Sequence, residues 1–158
     1  MTSTDGSTQT SHGSIAKLPI AAALLALVGL ADSIYLTVHH YTATPVPCSI
    51  IEGCEQVLTS SYAEVAGFPL AAFGAVAYFI AFSLALLAAF GDRRMWKLFG
   101  VQVTLMAAFT GWLIYVQAAL IGAFCQFCLL SAMTTIILFS LYLISIFLKP
   151  RRTVPTSA

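Results

Sequence analysis

Four apolar runs, each close to the length that crosses a bilayer, constrain this chain more than any other feature. They cover about Leu18 to Val38, Phe68 to Phe90, Leu98 to Ile121 and Leu129 to Leu148. About 20 apolar helical residues span a hydrocarbon core, so each run reads as one transmembrane helix. Composition removes the soluble alternative. Of the 158 residues 59% are hydrophobic and 8% charged, whereas a soluble domain carries about 25% charged residues. So few charges cannot solvate a globule of this size. The expected fold class is an all-α membrane protein built as a four-transmembrane-helix bundle.

The connections divide the chain. Residues 1–16, MTSTDGSTQTSHGSIA, are Ser/Thr-rich and lack an apolar pattern; they read as a disordered tail. The first run is longer than a signal-peptide core and no cleavage site follows, so it reads as an uncleaved span. Residues 39–67 form a polar loop containing Pro45, Pro47 and the first cysteine pair. GDRRMWK, residues 91–97, reads as a short charged turn, and GAFCQFC as a tight reversal. The domain is therefore expected over 17–148, with a second polar tail at 149–158.

Charge sets the expected topology. Four spans put both termini and the 91–97 turn on one side. Lys17, Arg93, Arg94, Lys97, Lys149, Arg151 and Arg152 all lie there, while the opposite loop carries Glu52, Glu55 and Glu64. The positive-inside rule places the tails in the cytoplasm. All four cysteines then face the exoplasmic side of a cytoplasmic membrane, where disulfides persist. A net charge of +1 gives no basic patch for nucleic acid, and no P-loop, dinucleotide fingerprint or HExxH motif is present.

The cysteines form two close pairs, Cys48 with Cys54 and Cys125 with Cys128. Structural staples are one reading, although closing such short loops stabilises by only about 2 kcal/mol on the chain-entropy model. Zinc is another, because four thiolates make a structural site, but the C-x5-C spacing exceeds the usual ligand pair. Redox chemistry is the third and favoured reading. A CxxC at a helix start stabilises a thiolate through the unpaired N–H groups and macrodipole, which makes its disulfide labile. Cys128, at the opening of the fourth run, is expected to feel this most.

Other residues carry weaker signals. Asp32 lies about 21 Å into the first run at helical rise. It is expected to face other helices and bond to Ser or Tyr hydroxyls, with proton handling as the alternative. His39 and His40 read as interface anchors, with haem or metal ligation as the alternative. Trp112, Tyr115, Phe124 and Phe127 are candidates for a pocket, and the two phenylalanines beside the thiols are favoured. Ser60 and Ser61 suit the cap of a short helix reaching YAEVAG. Gly67, Pro69, Gly74, Ala71, Ala72 and Ala75 suit close helix packing.

CSIIEGCEQVLTSSYAEVAGFPLAAFG, residues 48–74, followed by CQFC at 125–128, resembles the vitamin K epoxide reductase family in its bacterial form. The shared pattern is a spaced cysteine pair in the first loop, a Ser six residues after its second Cys, and CxxC at the last helix. GLADSIYLTVHHY, residues 29–41, is similar to that family's first span. The resemblance implies a four-helix bundle around a quinone (of menaquinone, ubiquinone or phylloquinone type), capped by the exoplasmic cysteine loop with a short half-helix. It implies that Cys125 and Cys128 are the quinone-side pair, with Cys128 nearest the ring. Cys48 and Cys54 are then the shuttle pair, Cys48 exchanging with a partner thiol and Cys54 passing electrons to Cys125. Ser60 matches the position near the quinone, so the implied quinone-binding residues are Ser60, Phe124, Phe127 and Cys128. The animal enzymes carry Tyr four residues after the second Cys of CxxC; here position 132 is Ala, and epoxide reduction is not carried over. Only KPRRTVPTSA follows the last run, so the implied partner is a separate thioredoxin-like, DsbA-like protein. The implied function is a thiol:quinone oxidoreductase supporting disulfide formation in exported proteins of a bacterium. The other class is a membrane scaffold, transporter or redox sensor with structural or regulatory disulfides.

Overall fold

The computed structural model describes residues 12–42, 46–47 and 53–147, with side chains from Lys17 onward. The elements are α1 (His12–Thr42), α2 (Cys54–Leu58), β1 (Glu64–Val65), β2 (Phe68–Pro69), α3 (Leu70–Ala89), α4 (Arg93–Tyr115), a π turn (Val116–Ile121) and α5 (Gln126–Phe147). Four segments are long and apolar enough to cross a membrane: Lys17–Thr42, Leu70–Ala89, Arg93–Ile121 and Gln126–Phe147. They follow the four apolar runs.

Helix boundaries depart from the apolar boundaries where a cap intervenes. α1 begins at His12, inside the stretch that reads as a tail; the rest of that tail, and the one after Phe147, lie outside the described residues. α4 begins at Arg93, so most of the charged stretch is helix rather than turn. Asp92 causes this: its carboxylate accepts the Arg94 N–H at 2.8 Å and caps the helix.

α1 packs against α3 and α5, and α4 packs against the same two helices. The long helices thus form a ring in the order α1, α3, α4, α5. One end of the ring is filled. Ala22, Ala23 and Ala26 of α1 meet Ala81 and Ala85 of α3, with Phe99, Val103 and Leu138 completing the cluster. Small side chains let helix backbones approach closely, which drives packing where lipid removes the hydrophobic force. Two glycines extend the principle: the Tyr78 ring occupies the space of a side chain on Gly29, and Tyr142 that of one on Gly100. Large apolar residues such as Leu24, Val76 and Met133 point outward and stay exposed, as a lipid-facing surface requires.

The connection from α1 to α3 is folded rather than open. β1 and β2 pair antiparallel, Val65 opposite Phe68. The turn residues Ala66 and Gly67 both have positive φ, 54° and 81°, the backbone of a two-residue hairpin turn. Nothing lies within 4 Å of a side chain built on Gly67; it serves the turn and not helix packing. Gly74 does pack closely, since an added Cβ would stand 3.1 Å from the Ser33 hydroxyl. The short helix precedes Ser60 instead of reaching YAEVAG. The Ser60 hydroxyl donates back to the Val57 carbonyl at 2.7 Å, at the helix end, not its start.

Candidate thiol site

The site grows from the reversal between the π turn and α5. Gln117, buried in the π turn, closes this reversal twice. Its backbone carbonyl accepts the Gly122 N–H at 2.9 Å, and its side-chain Oε1 accepts the Cys125 N–H at 3.1 Å. Gly122 takes the left-handed conformation, φ 70°, that ends the turn. π turns inside helices often mark functional sites because they re-aim one side chain. Here the side chain re-aimed is Gln117, which nothing in its local sequence marks out.

Cys125 is the residue before α5, and its carbonyl accepts the first helical N–H, from Leu129, at 3.0 Å. It therefore occupies the N-cap. Its thiol is lowered from the ordinary 9.0 to about 7. The hydrogen bond from the Cys128 thiol is the main cause; burial opposes it, the backbone N–H groups of Cys128 and Phe127 assist, and Asp32 opposes whenever it is ionised. This corrects the expectation that Cys128 feels the helix terminus most. α5 starts at Gln126, ahead of the apolar run, so the terminus belongs to Cys125 and Cys128 acts as its thiol donor.

Cys125 is fully buried and Cys128 half-buried, both as free thiols. Cys54, at the start of α2, is 1% exposed and disulfide-bonded; Cys48 lies outside the described residues. Cys54 and Cys125 share one apolar cluster with Val57 and Ala123, and Phe127 and Cys128 pack against it. Gly53 makes this approach possible. A Cβ there would stand 2.6 Å from the Phe124 carbonyl oxygen and 3.1 Å from Ala123 Cβ. Glycine is thus required for α2 to lie on the reversal that carries Cys125.

Beside the thiols is a cavity of about 440 Å³ walled by all four long helices, with Val57 and Leu58 of α2 also on its wall. Its wall is mostly apolar, with Met106 and Phe109 from α4, and includes Asp32, Ser60, Tyr78 and Cys128. Phe124 and Phe127 are not on this wall. Phe124 is 39% exposed, and Phe127 lies between the thiol cluster and Tyr35, with ring centroids 5.3 Å apart. Trp112 and Tyr115 are exposed on the outer face. The His39 ring meets that of Tyr35 at a tilt of 54°, with centroids 4.3 Å apart, and His40 on the cavity wall pairs with Glu64 at 3.3 Å. Among the described residues, no group of three or more His, Cys, Asp or Glu is placed to hold a metal ion.

Asp32 is only 8% exposed and faces the other helices, but the expected bond to a Ser or Tyr hydroxyl is not made. Its Oδ2 has no hydrogen-bond partner among the described residues. Tyr78, on the same cavity wall, is engaged on α5: it donates to the Ser131 carbonyl at 2.7 Å and meets the Ser131 and Thr135 hydroxyls at 2.9 and 2.8 Å.

A membrane bundle that gathers three cysteines around a reversal beside an apolar cavity belongs to the class of membrane proteins with a thiol site. The sequence profile of the vitamin K epoxide reductase family matches residues 20–143, and the chain belongs to this family. It is also similar to the thiol-disulfide oxidoreductase LTO1 of Arabidopsis thaliana, 32% identical over 126 residues. That match covers 73% of this chain and 32% of the relative, so the chain spans about a third of the relative's length.

Proposed function

We propose that the chain is a membrane thiol:quinone oxidoreductase that supports disulfide formation in exported proteins. The observation that carries this reading is the burial of Cys54 in one cluster with Cys125, next to Cys128 on the cavity wall. Electrons pass from a thioredoxin-like dithiol to the Cys48–Cys54 disulfide, which is reduced as the partner becomes oxidised. Cys54 then reduces the Cys125–Cys128 disulfide by attack on Cys125 through a mixed disulfide, reforming Cys48–Cys54. The name of the plant relative agrees with thiol–disulfide chemistry.

The residues present fit a quinone. The cavity is apolar, of about 440 Å³, with few polar groups and a thiol in its wall, the usual make-up of a cofactor pocket. When bound, a quinone supplies a two-electron, two-proton acceptor. Cys128 stands on the wall as the thiol nearest such a ligand, and Ser60 offers a hydroxyl oxygen there. α2 and the hairpin add Val57, Leu58 and Pro69 to the wall at the thiol end. Lys17, Arg93, Arg94 and Lys97 lie at the helix ends away from Cys54, Cys125 and Cys128, which supports an exoplasmic cysteine face in a bacterial cytoplasmic membrane.

The test is to reduce the purified chain, remove reductant, add a menaquinone or ubiquinone analogue and count free thiols by alkylation and mass spectrometry. Thiol loss in step with quinone reduction, abolished by Cys128→Ala, is the expected result. Thiols that stay reduced with every quinone, yet oxidise in air, would sink the quinone assignment and favour a structural or sensing role.

A further inference from the structure

We propose that Asp32 is a proton-donating residue of the cavity, delivering one of the two protons that the acceptor takes up as Cys125 and Cys128 are oxidised. This rests on the quinone reading above. Forming the disulfide from a dithiol releases two electrons, and quinone reduction needs two protons with them. With Cys125 as the thiolate, the pair holds one proton, on Cys128. The balance is then Cys125 thiolate, Cys128 thiol, Asp32 carboxylic acid and quinone giving the Cys125–Cys128 disulfide, Asp32 carboxylate and hydroquinone. One proton comes from sulfur and one from Asp32, and the carboxylate regains its proton from bulk water.

The wall leaves few other donors. The Ser60 hydroxyl donates to the Val57 carbonyl, and Gln102 Nε2 donates to the Ala77 carbonyl at 3.3 Å. Tyr78 donates to Ser131 and sits in a closed hydroxyl network with Thr135. His40, at the loop end of the same face of α1, is tied to Glu64. Asp32 alone combines an ionisable group, more than nine-tenths burial, a place on the cavity wall and an oxygen with no partner among the described residues. An unpaired carboxylate is costly inside a span, which favours its holding a proton until an acceptor takes it. The titratable groups that share its surroundings are Tyr78 on α3, Cys128 on α5, Cys125 before it, Tyr62 between α2 and the hairpin, and His40 on α1 itself.

The experiment uses the full chain, reduced, with a short-chain quinone, comparing wild type with Asp32→Asn and Asp32→Glu. Hydroquinone formation is expected to slow about 100-fold in Asp32→Asn, the scale of a lost general acid, and to recover at least in part in Asp32→Glu. Reduction of the Cys54 disulfide by a model dithiol, measured on the oxidised chain without quinone, needs no acid at Asp32 and is expected to stay within about twofold of wild type. Infrared spectra of the reduced chain without quinone should show a carboxylic C=O band that Asp32→Asn lacks. An Asp32→Asn chain that reduces quinone at the wild-type rate overturns the proposal alone. So does equal slowing of the Cys54 exchange, which marks a structural role. Should Asp32→Asn fail to fold, a wild-type infrared spectrum without a protonated carboxyl band overturns it. A wild-type chain that reduces no quinone overturns the proposed function together with it.

Discussion

Gln117 holds Cys125 across eight residues of chain: its side-chain oxygen accepts the buried backbone N–H of the cysteine at 3.1 Å. This one bond fixes the N-cap of α5 relative to the π turn. Replacing Gln117 by Leu strands the N–H in an apolar setting, at a cost of about 1–3 kcal/mol. Gln117→Leu is expected to lower the thermal midpoint in detergent and to speed amide hydrogen exchange at Cys125. A variant with unchanged exchange at Cys125 would show that the bond is not what holds the reversal.

The hydrogen bond from Cys128 sets the acidity of Cys125. The Cys125 thiol titrates at about 7 instead of 9.0, so the thiolate forms as pH rises through neutrality. Cys128→Ala removes the donor and is expected to move this midpoint up toward the ordinary value. At neutral pH the thiolate population then falls roughly tenfold or more. Cys128→Ser keeps a hydroxyl donor and is expected to hold the midpoint near that of the wild type. Thiolate ultraviolet absorbance against pH distinguishes the two; equal midpoints in both variants would remove the hydrogen bond as the cause.

Gly53 sets how closely Cys54 approaches Cys125. A methyl group there meets the Phe124 carbonyl at 2.6 Å, and backbone has little room to yield. Gly53→Ala is expected to lift α2 and slow disulfide transfer between the loop and the CxxC pair, by about 100-fold for a displacement near 1 Å. The overpacking cost of about 1–3 kcal/mol should fall on the cap, leaving the helical bundle folded. Rapid-quench trapping of the mixed disulfide measures the transfer, and circular dichroism the bundle.

Tyr78 ties α3 to α5 beneath the cavity through Ser131 and Thr135. Tyr78→Phe keeps the ring against Gly29 but loses the phenol, for an expected loss of about 1–2 kcal/mol. Gly29→Ala should cost more, because the added methyl overlaps the Tyr78 ring and a buried ring has few places to go. Unfolding midpoints of the two single variants, compared under one detergent condition, test that order.

The number of spans, their limits to within a few residues and the gathering of Cys54, Cys125 and Cys128 at one end all follow from the sequence. Bilayer thickness converts the length of an apolar run directly into a helix, and an even number of spans returns the chain to its starting side. CxxC at the last span, with the spaced pair before it, was enough to point to the family. Only the tertiary structure decided which thiol occupies the N-cap, because Asp92 and Cys125 start their helices by hydrogen bonding, not at the apolar boundary. It also decided that Phe124 and Phe127 stand off the cavity wall although they flank Cys125. Neighbours in sequence diverge at a helix start, whereas Gln117, Gly53 and Asp32 converge on the thiols from three other segments. Local composition carries no signal for such convergence. A bond partner, a space only glycine fits and a carboxylate left without a partner each depend on where several packed elements meet.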